Sequence, residues 1–261
     1  SALLALGLEQ GDRVATWMGK TRLACLLPLA AARAGVVHVP VNPVLRRAQA
    51  AHILADSGAR LLIANQDRLA TLADEDRAKA ALLPLEAWPD GDEALSPSSH
   101  EPGTLAALFY TSGSTGRPKG VMLPWRSIEA NTGMVDALLH LRPDDVMMGV
   151  LPFFHSFGYT ITLWTPLAVG VGAVYHTNPL EGRVVGRLIK EHGATILLGT
   201  PTFLRAYMQR LTPGDLESLE FAATGSERLP GELADAFEAK FGIRPFQRYG
   251  PPELGPIVSA N

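Results

Sequence analysis

Short, continuously apolar runs separated by amphipathic stretches constrain this chain more than any other feature. RVATWM (13–18), VVHVPVN (36–42), RLLIAN (60–65), LAALFY (105–110), GVMLPW (120–125), DVMMGV (145–150), VGAVYH (171–176), TILLGT (195–200) and LEFAAT (219–224) read as strands. Helix-like stretches fall near 20–34, 46–56, 127–140, 181–192, 202–210 and 231–240. A strand with one wet face alternates apolar and polar residues, whereas these runs are apolar throughout and call for cover on both faces. The expected fold is therefore α/β, with layered, mostly parallel sheets and flanking helices. The stretch 74–103, with its charged ADEDRAK and its WPDGDEALSPSSHEPG rich in Pro, Gly, Ser and acids, reads as a surface connection. It divides a front α/β subdomain (1–73, incomplete at its N-terminus) from a back one (104–261).

Composition then excludes several classes of function. The net charge is −3 with Lys and Arg scattered, so no nucleic-acid surface is expected, and any polyanion must be held by local loops. The single cysteine, Cys25, offers neither an internal disulfide nor a zinc site; in its apolar surroundings it reads as a structural thiol and points to a reducing, cytoplasmic setting. The opening SALLALGLEQGD has no basic segment ahead of an apolar one and predicts no secretory signal. From Val146 to Leu180 there is no Asp, Glu, Lys or Arg, but Pro152, Pro166 and Pro179 interrupt the stretch. It predicts a loop, a buried helix and a buried strand, and no membrane span.

TSGSTGRPKG (111–120) carries the most specific chemistry. Gly113, Gly116 and Gly120 permit backbone angles that expose successive amide N–H groups, and such concave arrays bind anions. Thr111, Ser112, Ser114 and Thr115 add hydroxyl donors, and Lys119 adds a compact positive charge suited to a bridging or terminal phosphate. The segment is not a Walker A loop, because Pro118 stands where that pattern needs glycine and Gly120 where it needs Ser or Thr. The chain also contains no GxSxG and no GxGxxG, which removes the usual serine-hydrolase and dinucleotide-fold readings.

This loop resembles the phosphate loop of the adenylate-forming superfamily, which comprises acyl-CoA synthetases, firefly-type luciferases and peptide-synthetase adenylation domains. PFFHSFGY (152–159), GSERLP (225–230) and YGPPELGP (249–256) match the same family in the same order. The resemblance implies ATP-dependent activation of a carboxylic acid to an acyl-adenylate with release of pyrophosphate, then transfer to the thiol of CoA or acyl carrier protein. It implies that Thr111 to Gly116 and Lys119 hold the phosphates and that His155 gates or orients the acid. Gly225, Ser226 and Glu227 would border adenine, and Tyr249, followed by Gly250, would pack on its ring. Glu253, with Thr111, would face Mg2+, so Lys119, His155 and Glu253 are the expected catalytic set. The uncharged stretch Tyr159 to Ala168 would line a tunnel for an apolar acyl chain or form a plain core helix.

Two departures bear on activity. The family usually places Thr before the glutamate, in YGxTE, where its hydroxyl contacts the α-phosphate; this chain has Pro252, which offers neither hydroxyl nor N–H. The family's TGD segment, hinge and C-terminal domain, with its lysine, have no counterpart before Asn261, so this stretch alone is expected to be weakly active or inactive. From Leu151 to Asn261 the sequence looks like the long-chain acyl-[acyl-carrier-protein] ligase branch, and the front half looks like an acyl-CoA ligase. Both point to a fatty or similarly apolar acid. The alternative is a non-catalytic nucleotide- or acyl-binding remnant.

Overall fold

A computed structural model describes residues 2–89, 100–111, 117–255 and 257–260 of the chain. It forms two compact units, Ser1–Arg126 and Ser127–Asn261.

The first unit is built on a six-stranded sheet of order β4-β3-β1-β2-β5-β6. Its strands are β1 (Arg13–Trp17), β2 (Val37–Pro40), β3 (Leu61–Ala64), β4 (Ala81–Pro84), β5 (Leu105–Thr111) and β6 (Lys119–Pro124). All neighbours pair in parallel except β5 and β6, which form an antiparallel pair. Its helices are α1 (Ala2–Ala5), α2 (Arg22–Ala34), α3 (Arg47–Ser57) and α4 (Gln66–Leu69). The Thr21 hydroxyl caps α2 by accepting the Ala24 N–H, and Gly35, at φ 69°, ends the helix in a left-handed turn that a side chain would strain. Side chains alternate across the sheet. Val14, Leu61 and Ile63 pack with Leu27 and Ala31 of α2, and Ala15, Val39 and Leu62 pack with Ile53 and Leu54 of α3. Both faces are covered, as continuously apolar strands require.

The expected division at 74–103 is corrected here. β4 lies inside that stretch, and β5 beyond it returns to pair with β2 at His38 and Ala107, so the front unit extends to Arg126. A connection poor in apolar residues reads as a boundary; it does not reveal that the chain re-enters the same sheet.

The second unit is another six-stranded sheet, of order β12-β11-β10-β9-β7-β8, made of β7 (Val146–Gly149), β8 (Gly172–Tyr175), β9 (Ile196–Gly199), β10 (Phe221–Thr224), β11 (Phe246–Tyr249) and β12 (Ser259–Ala260). Only β12 runs antiparallel to its neighbour. The helices are α5 (Trp125–Leu139), α6 (Thr165–Val169), α7 (Gly182–His192), α8 (Pro201–Arg210) and α9 (Gly231–Phe241). Val185, Ile189, Leu204, Tyr207 and Phe237, from α7 to α9, cover one face over Met148, Leu197 and Ala222. Val135 and Leu139 of α5 join Ile161 on the other face, over Met147, Leu198 and Ala223.

The chain leaves β7 toward β8, then returns to the opposite side for β9, β10 and β11. In open α/β sheets, binding positions usually lie at the carboxyl edge beside such a reversal. The uncharged stretch 146–180 resolves into β7, a loop, a π-helical segment (Gly158–Trp164), α6 and β8. Among the described residues, no helix is long and apolar enough to cross a membrane.

Candidate functional site

The segment expected to bind anions lies between β5 and β6. Antiparallel pairing runs up to Thr111 and Lys119, which are direct cross-strand partners, so one hydroxyl and one ammonium flank the segment at fixed spacing. Lys119 is exposed. The expected phosphate ligands Ser112, Gly113, Ser114, Thr115 and Gly116 lie outside the described residues. Helix α3 braces both arms of the hairpin. The Tyr110 hydroxyl donates to Asp56 at 2.7 Å, and His52 Nε2 lies 3.0 Å from the Pro118 carbonyl. A carbonyl oxygen only accepts, so His52 carries its proton on Nε2 there. Burial, reinforced by Asp56, raises the Tyr110 pKa and keeps the phenol protonated as the donor.

In the second unit the turns that follow β7, β10 and β11 line a cleft of about 460 Å³, to which His155, Ser226, Glu227, Tyr249, Gly250 and Pro252 all contribute. His155 is locked from behind. Its Nδ1 accepts the Phe157 N–H at 3.2 Å, which assigns the ring proton to Nε2. The loop packs so closely that a Cβ on Gly158 would stand 2.2 Å from the Pro152 carbonyl oxygen, so only glycine fits between Phe157 and Tyr159. Burial, with a smaller contribution from the Arg248 charge, draws the His155 pKa down to about 4. The imidazole is thus neutral at physiological pH, able to donate from Nε2, and not an imidazolium.

The turn after β10 is strained and well held. Ser226 adopts φ 68°, an uncommon region for a residue with a side chain. The Gly225 N–H donates to the Gly199 carbonyl at 3.1 Å, the Leu229 N–H donates to Gln247 Oε1 at 2.8 Å, and Glu227 accepts from the Thr202 hydroxyl at 2.9 Å. Tyr249 is 62% exposed, with a ring open for stacking rather than a place in the core. Glu253 is exposed on a 3-10 turn, Pro252–Leu254, and the two residues before it, Pro251 and Pro252, have φ fixed by their rings.

The second unit therefore brings His155, Ser226, Glu227, Tyr249 and Gly250 to one cleft, with Gly225 and Glu253 on the adjoining turns, while Thr111 and Lys119 belong to the first unit. Sequence reasoning missed Arg248 and Gln247, which also line the cleft. The available signal was an arginine inside a strand of a doubly covered sheet. Of the two readings left open for Tyr159 to Ala168, an acyl tunnel or a core helix, the structure favours the second: most of the stretch forms the π-helical segment. Its residues 158–163 are buried, Ile161 joins the core, and the Tyr175 hydroxyl donates to the Thr162 carbonyl at 2.8 Å. π-Helical turns recur at functional sites, but here the side chains fill space rather than enclose it.

Comparison with known proteins places these features in context. The sequence profile of the AMP-binding enzyme family matches residues 1–261. Sulfoacetate–CoA ligase of Cupriavidus necator is 32% identical over 98% of this chain and 52% of its own length. Feruloyl-CoA synthase of an Amycolatopsis species is 31% identical over 99% of this chain and 52% of its own length. The crystal structure of ATP-bound MatB from Rhodopseudomonas palustris superimposes with a TM-score of 0.89 at 27% identity, covering 99% of this chain and 53% of that one. The chain thus spans about half the length of the relatives it matches.

Proposed function

The chain belongs to the AMP-binding enzyme family, and from that membership we propose that it is the nucleotide- and acid-binding part of a ligase that activates a carboxylic acid with ATP. In this reading a carboxylate oxygen of the acid attacks the α-phosphorus, the bond to the bridging oxygen breaks, and pyrophosphate leaves. In the full-length enzyme the thiol of CoA or acyl carrier protein then attacks the acyl carbon and AMP departs. The hairpin amides and Lys119 hold the departing pyrophosphate, Tyr249 stacks on adenine, and the turn at Gly225–Glu227 borders it. His155, neutral and with its proton on Nε2, donates to an oxygen of the acid and orients it.

Glu253 is the protein carboxylate that would hold Mg2+ in this reading. The donor set suits that ion, which keeps most of its waters and takes one or two carboxylates alongside substrate phosphates, and Glu253 presents an exposed carboxylate on a turn stiffened by proline. When bound, the ion neutralises charge on the phosphates.

The observation that supports this reading best is the gathering of His155, Ser226 and Tyr249 at one cleft on the carboxyl edge of the second sheet, from segments far apart in sequence. The substrate proposed from the likeness of Leu151 to Asn261 to acyl carrier protein ligases, and of the front half to acyl-CoA ligases, is a fatty or similarly apolar acid. A second reading, a compact acid, is favoured by the burial of residues 158–163. Pyrophosphate release by the full-length protein, measured with ATP and a panel of acids of increasing chain length, tests both. Release that depends on the acid is expected, and its preferred length separates fatty from compact substrates. No release with any acid would leave only a nucleotide-binding remnant.

A further inference from the structure

Arg248 sits in β11, in a sheet covered on both faces, and is 4% exposed. Burying a guanidinium is costly unless its surroundings replace water, and here they do so in a specific way. Its Cζ lies 3.4 Å from the centroid of the Phe157 ring, a close cation–π contact. Its Nη1 donates to the Gly250 carbonyl at 3.0 Å, and Nη2 lies 3.5 Å from the Ser226 hydroxyl. Gly225 adds the decisive detail. A Cβ built on it would stand 2.0 Å from Arg248 Nε and 2.5 Å from Cζ, yet Gly225 is not among the glycines with positive φ. Glycine is required at 225 to leave room for the guanidinium, not for its backbone freedom.

We propose that Arg248 is the positioning residue of this cleft: packed against the Phe157 ring and the Gly225 backbone, its guanidinium holds the turns after β7, β10 and β11 in the arrangement that receives the nucleotide and the acid. Its partners come from all three of those turns: Phe157 follows β7, Gly225 and Ser226 follow β10, and Gly250 follows β11. The strained φ of Ser226 fits this role, because such a backbone persists only where its surroundings over-determine it. Burial draws the Arg248 pKa down to about 10, so it stays charged at neutral pH and disfavours a second positive charge on His155. Glu227, Arg228 and Tyr249 also line the cleft, with the Glu227 carboxylate engaged by Thr202.

The inference rests on the proposed ligase reading, and a double-mutant cycle in the full-length protein keeps the two separable. Gly225→Ala, Arg248→Ala, the double variant and Arg248→Lys are compared by acid-dependent pyrophosphate release across pH and by thermal unfolding midpoint. Gly225→Ala is expected to lower kcat/KM about tenfold in the wild-type background and by less than about twofold once Arg248 is Ala, because the Nε and Cζ that a Cβ at 225 would meet are then gone. The acid limb of the kcat/KM profile should move to higher pH in Arg248→Ala. It should stay in place in Arg248→Lys, which keeps the charge but loses the planar stack. Equal factors for Gly225→Ala in both backgrounds, or an unmoved acid limb in Arg248→Ala, would overturn the proposal. If the wild-type protein releases no pyrophosphate with any acid, the ligase reading fails. The same cycle read on unfolding midpoints then decides the frame: coupling upholds it and additivity overturns it.

Discussion

His38 lies in β2, 2% exposed, with Nε2 2.9 Å from the Thr16 hydroxyl, and burial draws its pKa down to about 3. The unfolded chain binds its proton near the ordinary histidine value, so the stability His38 contributes is complete above that value and is lost as pH falls toward the folded one. His155 acts in the same direction over a narrower window, down to about 4. We expect His38→Phe to reduce the acid loss of stability by about 2 kcal/mol at pH 5 relative to pH 7, measured by denaturant melts. Identical slopes in both proteins would count against the buried neutral imidazole. At Lys119, truncation to Ala should raise the KM for ATP about tenfold or more and leave the KM for the acid within about twofold, since a charged hydrogen bond to phosphate is worth about 1.5–3 kcal/mol. Equal effects on both constants in steady-state kinetics would remove it from the phosphate site. Pro252 opens the turn that carries Glu253 and offers neither hydroxyl nor N–H. Pro252→Thr is expected to speed adenylation about tenfold, read from single-turnover pyrophosphate release; a slower variant would mean that the turn depends on proline. Residues such as His155 and Tyr249 were legible because short motifs carry them. Arg248 was not, because all its partners outside β11 and the adjoining Gly250 come from other segments.

At the scale of elements, the hairpin, whose spacing is set by its own antiparallel pairing, is braced by α3. His52 and Asp56 lie on one face of that helix, four residues apart, and hold Pro118 on one arm and Tyr110 on the other. His52→Ala should weaken ATP binding several-fold while shifting the unfolding midpoint little, and His52→Gln, which can still donate to the Pro118 carbonyl, should recover most of the affinity. Calorimetric titration with ATP checks this, and a His52→Ala protein that binds ATP normally would separate α3 from the phosphate site. The hairpin itself was visible in TSGSTGRPKG and its flanking apolar runs, whereas its brace was not, because α3 is more than fifty residues upstream of its partners. The same limit applies to the stretch 158–164. Its lack of charge announced burial, but whether it enclosed a channel or filled the core depended on Met147, Ile196 and Tyr175, which arrive from other strands.

The whole molecule carries a separate sheet and separate apolar clusters in each unit. Leu204, 1% exposed under α8, packs only in the cluster of the second unit. Leu204→Ala is expected to cost that unit about 3 kcal/mol and to leave amide-exchange protection in β1, β2 and β3 unchanged. Equal loss of protection in both sheets, followed by mass spectrometry, would show a single cooperative core instead. By itself the sequence determined what depends on near neighbours along the chain: continuously apolar strands that need cover on both faces, and helices ended by glycine. Only the tertiary structure decided which strands lie side by side, that β5 rejoins the first sheet beyond a polar connection, and that Phe157, Gly225 and Arg248 meet. Those outcomes follow from contacts between residues tens of positions apart, whose free energy depends on shape and burial that no local pattern encodes.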